Sequence, residues 1–336
     1  MQKKVQIAMV GLGYWGPNIL RNFVQIPHVH MKYICDLNEE KLQKYQDLYP
    51  ESQCGTNYED LLADSDIEAV IVVTSSESHF TLASEALKAG KHVFVEKPLT
   101  LDLEEAKDLV ALAKEKNLKL MVGHLLMYHP AVTFMKNYIE SEEFGDLRYI
   151  YTTRVNLGKV RHTENALWSL APHDLSVILH LTGEAPLTVE AQGESYLREG
   201  VEDVVFTSMS FSGKVMAHIH VSWLDPHKVR KMTVVGSKKM LVFDDMEPIE
   251  KIKIYDKAAI PQTQFETYDE EYFTLSNGDI YIPELSKKEP LRLECEHFID
   301  SIITDQTPLS DGQNGCDVLS VLMEAQRSLK IATSVF

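Results

Sequence analysis

Along the first third of the chain, short apolar runs alternate with segments whose apolar residues recur every three or four positions. Residues 5–10 (VQIAMV) are almost wholly apolar, the pattern of a parallel strand covered on both faces. Residues 14–23 read as a helix and 31–35 as a second strand. Leu42 and Tyr45, with Leu48 or Tyr49, mark one face of the next helix. A third short strand is predicted at 69–73, a helix at 81–89 stopped by Gly90, and a fourth strand at 92–95. Leu103, Ala106, Leu109, Val110 and Ala113 sit at helical spacing, and 119–122 closes the series as a fifth strand. Strands and helices in this alternation predict a doubly wound parallel sheet, the Rossmann type of α/β fold, over residues 1–123.

Past Gly123 the pattern changes. One helix is predicted around 131–141, followed by strand-like segments at 147–156, 187–195, 204–211, 215–223 and 231–235, with few helices between them. The stretches FSGK (211–214) and VGSK (235–238) read as turns between antiparallel strands. Residues 255–283 are polar and dotted with proline, and read as a loop with an embedded hairpin. Leu291, Cys295, Phe298, Ile299 and Ile302 make one helical stripe, and Val318, Leu322, Ala325 and Leu329 another. Residues 124–336 are therefore expected to form an α+β domain around a large, mainly antiparallel open sheet.

Composition narrows the function classes. The 336 residues are 44% hydrophobic and 25% charged, enough apolar material for two cores, and single cores stop growing near roughly 250–300 residues. A formal net charge of −17 argues against a nucleic-acid partner. No stretch approaches the ~20 apolar residues of a membrane span, and no charged-then-apolar leader precedes the first strand. The four cysteines, Cys35, Cys54, Cys295 and Cys316, show no metal-site clustering, so free thiols in a reducing cytoplasm and no metal are expected.

GLGYWG, from Gly11 to Gly16, follows a strand and opens a helix. Gly11 permits a tight turn, Gly13 lets backbone approach a pyrophosphate, and Gly16 allows the helix to pack closely on the strand. The helix N-terminus offers free N–H groups to that anion, with Tyr14 and Trp15 in the same loop. Asp36, twenty positions past Gly16 at the end of the second strand, is placed to accept the adenosine ribose hydroxyls and to favour NAD over NADP. The same Asp36, with Glu39, also reads as a helix cap. The Thr74 loop and His79 are expected beside the cofactor cleft, with a helix-terminal role for His79 as the alternative.

Glu96-Lys97-Pro98 comes directly after the fourth strand, at the sheet edge where open α/β folds bind ligands. Lys97 there either faces a nicotinamide pocket or is a solvated surface lysine. These residues, with the GYWGPN loop, GKHVFVEKP (90–98), Gly123-His124, FGDLR (144–148), APHDL (171–175), VGS (235–237) and SDG (310–312), resemble the glucose–fructose oxidoreductase/inositol dehydrogenase/rhizopine catabolism family over essentially the whole chain. The glycine loop and residues 168–175 resemble its branch acting on sugars and nucleotide-activated sugars.

The resemblance implies hydride exchange between a sugar secondary alcohol, at C3 in one reading, and nicotinamide, with Lys97 and His173 contacting the reacting hydroxyl. Where the family commonly has an aspartate four residues before that histidine, this chain has Ser169, which carries no charge; Asp174 is the candidate substitute. Tyr128, His129, Arg154 and Asn156 are lesser candidates for the substrate pocket, against plain packing or exposed-sheet roles. The alternatives are an inositol or polyol dehydrogenase, a ketosugar reductase, a glycosidase that uses NAD transiently, and a non-catalytic regulator that binds NAD and sugar. The open sheet and the resemblance together imply a homodimer or homotetramer.

Overall fold

The computed structural model describes residues 4–158, 160, 161, 164–261 and 273–332. Among these the chain divides into two compact units, Met1–Tyr128 with Lys288–Ser320, and His129–Lys287 with Val321–Phe336.

The first unit opens with β1 (Val5–Val10), α1 (Gly16–Val24), β2 (Val29–Cys35), α2 (Glu39–Leu48), β3 (Gln53–Gly55), α3 (Tyr58–Ala63) and β4 (Ala69–Val72). It continues with α4 (His79–Lys88), β5 (His92–Glu96), α5 (Leu103–Glu115) and β6 (Leu120–Gly123). The strands form one parallel sheet ordered β3-β2-β1-β4-β5-β6, a Rossmann sheet whose order reverses direction between β1 and β4. Strand β4 inside the sheet and β6 at its edge are buried at every position, which is why their sequences are continuous apolar runs. Asn38, Asn57 and Asp102 cap α2, α3 and α5 with side-chain oxygens, and Gly90, at φ 77°, ends the turn after α4. The sequence pattern does not reveal β3 or α3; three and six residues are too short to show a period.

Next come α6 (Pro130–Ile139), β7 (Leu147–Val155), α7 (Ala166–Thr182), β8 (Thr188–Glu194), β9 (Val204–Ser210), β10 (Met216–Ser222), β11 (Val229–Gly236), β12 (Met240–Asp244), β13 (Ile252–Pro261) and β14 (Phe273–Tyr281). Their strands make an eight-stranded sheet ordered β14-β13-β12-β11-β7-β10-β9-β8. Every pairing is antiparallel except β7 with β10. Helix α7 packs on β10, β7 and β9. Tyr149, Tyr151, Phe206 and Met216 stay exposed on the sheet. Residues 211–214 and 235–238 form the β9–β10 and β11–β12 turns. The polar stretch 255–283 lies largely in the β13–β14 pair, and its residues 262–272 fall outside the described ones.

Two helices end the chain, α8 (Pro290–Ile303) and α9 (Gly312–Ala332). Helix α8 packs on α1, and Phe23, Phe94 and Phe298 meet edge to face with centroids 5.8–6.3 Å apart, so α8 completes the core of the parallel-sheet unit. The sequence pattern gave no reason to separate residues 288–320 from the second domain; their packing groups them with the first.

Candidate active site

In the first unit the glycine loop lies between β1 and α1. Gly11 has φ of 101°, where a side chain is strained, and a Cβ on it would strike the Val73 carbonyl. A Cβ on Gly16 would lie 2.5 Å from the Gly11 carbonyl oxygen, so α1 can start here only with glycine. Gly13 meets nothing within 4 Å; that open side, next to the free N–H groups of α1, fits a pyrophosphate. Tyr14 beside it is 94% exposed.

Asp36 closes this loop. Its carboxylate accepts from the Leu12 N–H at 2.6 Å and from the Asn38 N–H at 2.9 Å. The cap of α2 is Asn38, whose side chain accepts from the Lys41 N–H at 2.9 Å, so the capping role read for Asp36 belongs to its neighbour. Each Asp36 oxygen keeps acceptor capacity for a ribose hydroxyl.

Strand β5 delivers Glu96 and Lys97 to the carboxyl edge of the sheet, next to β6 in parallel register, Glu96 opposite Gly123. The Glu96 carboxyl accepts from the Lys97 N–H at 3.0 Å and from the Trp15 side chain. A Cβ at Gly123 would come within 3.0 Å of it, so the glycine makes its room. Burial pushes Glu96 up to about 7, opposed by the Lys97 charge and these hydrogen bonds. Lys97 is half-buried, and its peptide bond to Pro98 is cis.

Two histidines support this corner. His79 is buried; Nδ1 lies 2.7 Å from the Pro98 carbonyl oxygen and Nε2 3.3 Å from that of Thr74. Burial lowers its pKa, and a neutral ring has a single N–H, so it donates to one of these carbonyls; the shorter contact, to Pro98, fixes the turn after Lys97. The Thr74 hydroxyl takes a 2.7 Å hydrogen bond from Ser78. His124, which sequence reasoning left without a role, is buried next in line after Gly123, with Nδ1 2.7 Å from Asn314 Oδ1 at the start of α9. Burial, with the Lys97 charge, lowers it to about 4. The one sequence signal for it is its place after Gly123.

Tyr128, read as a candidate for the substrate pocket, is 6% exposed and ties to Ser310, its hydroxyl 2.8 Å from the serine Oγ. It is a core staple, as the packing alternative has it.

In the second unit, His129 caps α6, its Nδ1 accepting from the Ala131 N–H at 3.0 Å. Ser169 and His173, four apart, share one face of α7, both half-buried. Asp174 points elsewhere. Its carboxylate takes Arg154 Nε at 2.6 Å and Nη2 at 3.0 Å in a fork that is buried on both sides. Asp174 therefore does not replace the missing aspartate, and the Arg154 fork is already engaged in joining β7 to α7. Asn156, half-buried just beyond β7, donates its backbone N–H to the Ser222 carbonyl at 3.1 Å. No cluster of three potential metal ligands occurs among the described residues, and no described helix is long and apolar enough to cross a membrane.

Residues 5–124 match the family model described as "Oxidoreductase family, NAD-binding Rossmann fold", and 132–242 match the "GFO/IDH/MocA C-terminal domain". UDP-N-acetylglucosamine 3-dehydrogenase of Acidithiobacillus ferrooxidans is 26% identical over 330 residues, 96% of each chain. Its solved structure superimposes with a TM-score of 0.81 at 25% identity, covering 97% of this chain and 98% of that one. Inositol 2-dehydrogenase of Salmonella typhimurium is 31% identical over 192 residues, 55% of this chain and 57% of its own. With a glycine loop shaped for a dinucleotide, Lys97 at the sheet edge and both domain models matched, the chain belongs to the GFO/IDH/MocA family of NAD-binding oxidoreductases.

Proposed function

We propose that this enzyme transfers a hydride between a ring secondary alcohol of a nucleotide-activated sugar, at C3, and NAD. The observation that supports this reading best is Lys97 at the carboxyl edge of β5, in a chain aligned end to end with a UDP-N-acetylglucosamine 3-dehydrogenase. Gly11, Gly13, Gly16 and the N-terminus of α1 would hold the pyrophosphate, with Tyr14 and Trp15 in the same loop and Thr74, Glu96 and Lys97 at neighbouring strand ends; Asp36 would hold the adenosine ribose. NAD supplies the hydride acceptor.

Lys97 is the proton acceptor: as the free amine it takes the hydroxyl proton, and in ketosugar reduction its ammonium returns it. His173 shares that relay, and Ser169, one turn before it, offers a hydroxyl for positioning the sugar. The arrangement has two ionisable members because Ser169 supplies no third charge. We further read the protein as a cytoplasmic homodimer or homotetramer, built through the exposed aromatic face around Tyr149, Tyr151 and Phe206.

Absorbance of NADH, followed with UDP-N-acetylglucosamine, other nucleotide sugars, free sugars and inositols, tests the reading. NADH formed with a nucleotide sugar is the expected result; turnover confined to inositols would favour the second reading, which the inositol 2-dehydrogenase similarity supports. Lys97→Ala should lose about two or more orders of magnitude in turnover while NADH still binds. Undiminished turnover in that variant rejects Lys97.

A further inference from the structure

Lys97 hangs from a main chain that is gripped on both sides. On one side its own N–H donates to Glu96 Oε2 at 3.0 Å. On the other, His79 Nδ1 lies 2.7 Å from the Pro98 carbonyl oxygen. His79 is the first residue of α4, the helix that links β4 to β5 and packs on both. Its ring is 1% exposed, and its two partners lie just past the ends of those strands, Thr74 after β4 and Pro98 after β5.

Carbonyl oxygens only accept, so each ring contact is a hydrogen bond only where the nitrogen carries a proton. Burial holds the pKa of the ring down; the Lys97 charge acts in the same sense, while the two carbonyls and Glu77 oppose it. At neutral pH the ring therefore has one N–H to place. With that proton on Nε2, two lone pairs would face each other 2.7 Å apart at Pro98. With it on Nδ1, the facing lone pairs are those at Thr74, where the separation is 3.3 Å. The distances fit the Nδ1–H form.

We propose that His79 is a positioning residue for Lys97: its Nδ1–H holds the Pro98 carbonyl and, with Glu96 on the Lys97 N–H, fixes the backbone from which the lysine amine acts. The ring moves no proton in the reaction. What it supplies is placement, and a displacement of about 1 Å at a reacting group can cost on the order of a hundredfold in rate. This role rests on the reading of Lys97 as proton acceptor. A ring that served the cofactor instead would change cofactor affinity, not turnover.

Imidazole nitrogen NMR of histidine-labelled protein tests the tautomer without substrate. The His79 signals, identified by their loss in His79→Asn, should show a protonated Nδ1 and a bare Nε2 at neutral pH. A proton on Nε2 alone, or on both nitrogens, overturns the proposal. Turnover tests the role. An asparagine amide can place an N–H where Nδ1 stands, and a glutamine amide where Nε2 stands. His79→Leu and His79→Gln should thus lose about tenfold or more in kcat while NADH affinity is kept, and His79→Asn should recover most of that loss. Equal kcat in the Asn and Gln variants, or a loss carried by NADH affinity, overturns the proposal as well. Normal turnover in Lys97→Ala, with the Nδ1–H tautomer seen, overturns instead the reading of Lys97 beneath it.

Discussion

Asp36 shows how one side chain can serve two ends. It closes the glycine loop through the Leu12 and Asn38 N–H groups, and in the proposed function it would also hold the adenosine ribose. Asp36→Ala should therefore weaken NADH binding by roughly tenfold or more, read by NADH fluorescence, through a loosened loop as well as a lost ribose contact. His124 makes a different prediction. The folded protein holds it near 4 against 6.5 ordinarily, so between those values the unfolded chain binds a proton that the folded one refuses. Stability should fall as pH drops from about 6.5 to about 4, by about 3 kcal/mol from this residue. Glu96, raised to about 7, acts in the opposite sense: its contribution is full below about 4.5 and is lost as pH rises to about 7. Urea denaturation across this range should show His124→Gln losing acid sensitivity relative to the unaltered protein; equal slopes would remove the buried imidazole from the account. Gly11, Asp36 and Lys97 were legible in the sequence because motif spacing places them. Asn314, 190 residues from the His124 it holds, was not, because its partner comes from tertiary packing alone.

At the scale of elements, the Rossmann half was readable because apolar runs and helical stripes alternate, and the two short members β3 and α3 escaped. Helix α7 was missed for a physical reason: buried residues occupy Ala166, Leu167, Ala171, Pro172 and the unbroken run from Asp174 to Leu179, so apolar character surrounds it and leaves no stripe. Its Pro172 also argues against a helix interior. The Arg154–Asp174 fork joins this helix to β7. Arg154→Ala should destabilise the second unit by roughly 3–5 kcal/mol, since it strands a buried carboxylate; Arg154→Met with Asp174→Leu should restore most of that. Chemical denaturation of both variants checks this, and a mild single-variant effect would mean that water reaches the pair.

For the molecule as a whole, sequence pattern puts one boundary near residue 123 and gives no sign of the later crossings at 287–288 and 320–321, because a helical stripe records that a face is buried but not against which neighbour. Leu291, Cys295, Phe298 and Ile299 belong to the same core as Ile7, Phe23 and Phe94. A polypeptide ending at residue 128 should consequently expose that apolar floor and aggregate, while the uncut chain stays dispersed, a contrast light scattering would register. The same discontinuity has a consequence for biosynthesis. Domains usually mature in the order they leave the ribosome, but here the dinucleotide-binding half, translated first, lacks its closing helix until residue 303 has emerged. Residues 5–123 thus form a unit that must wait, open on one side, while the whole intervening sheet is made.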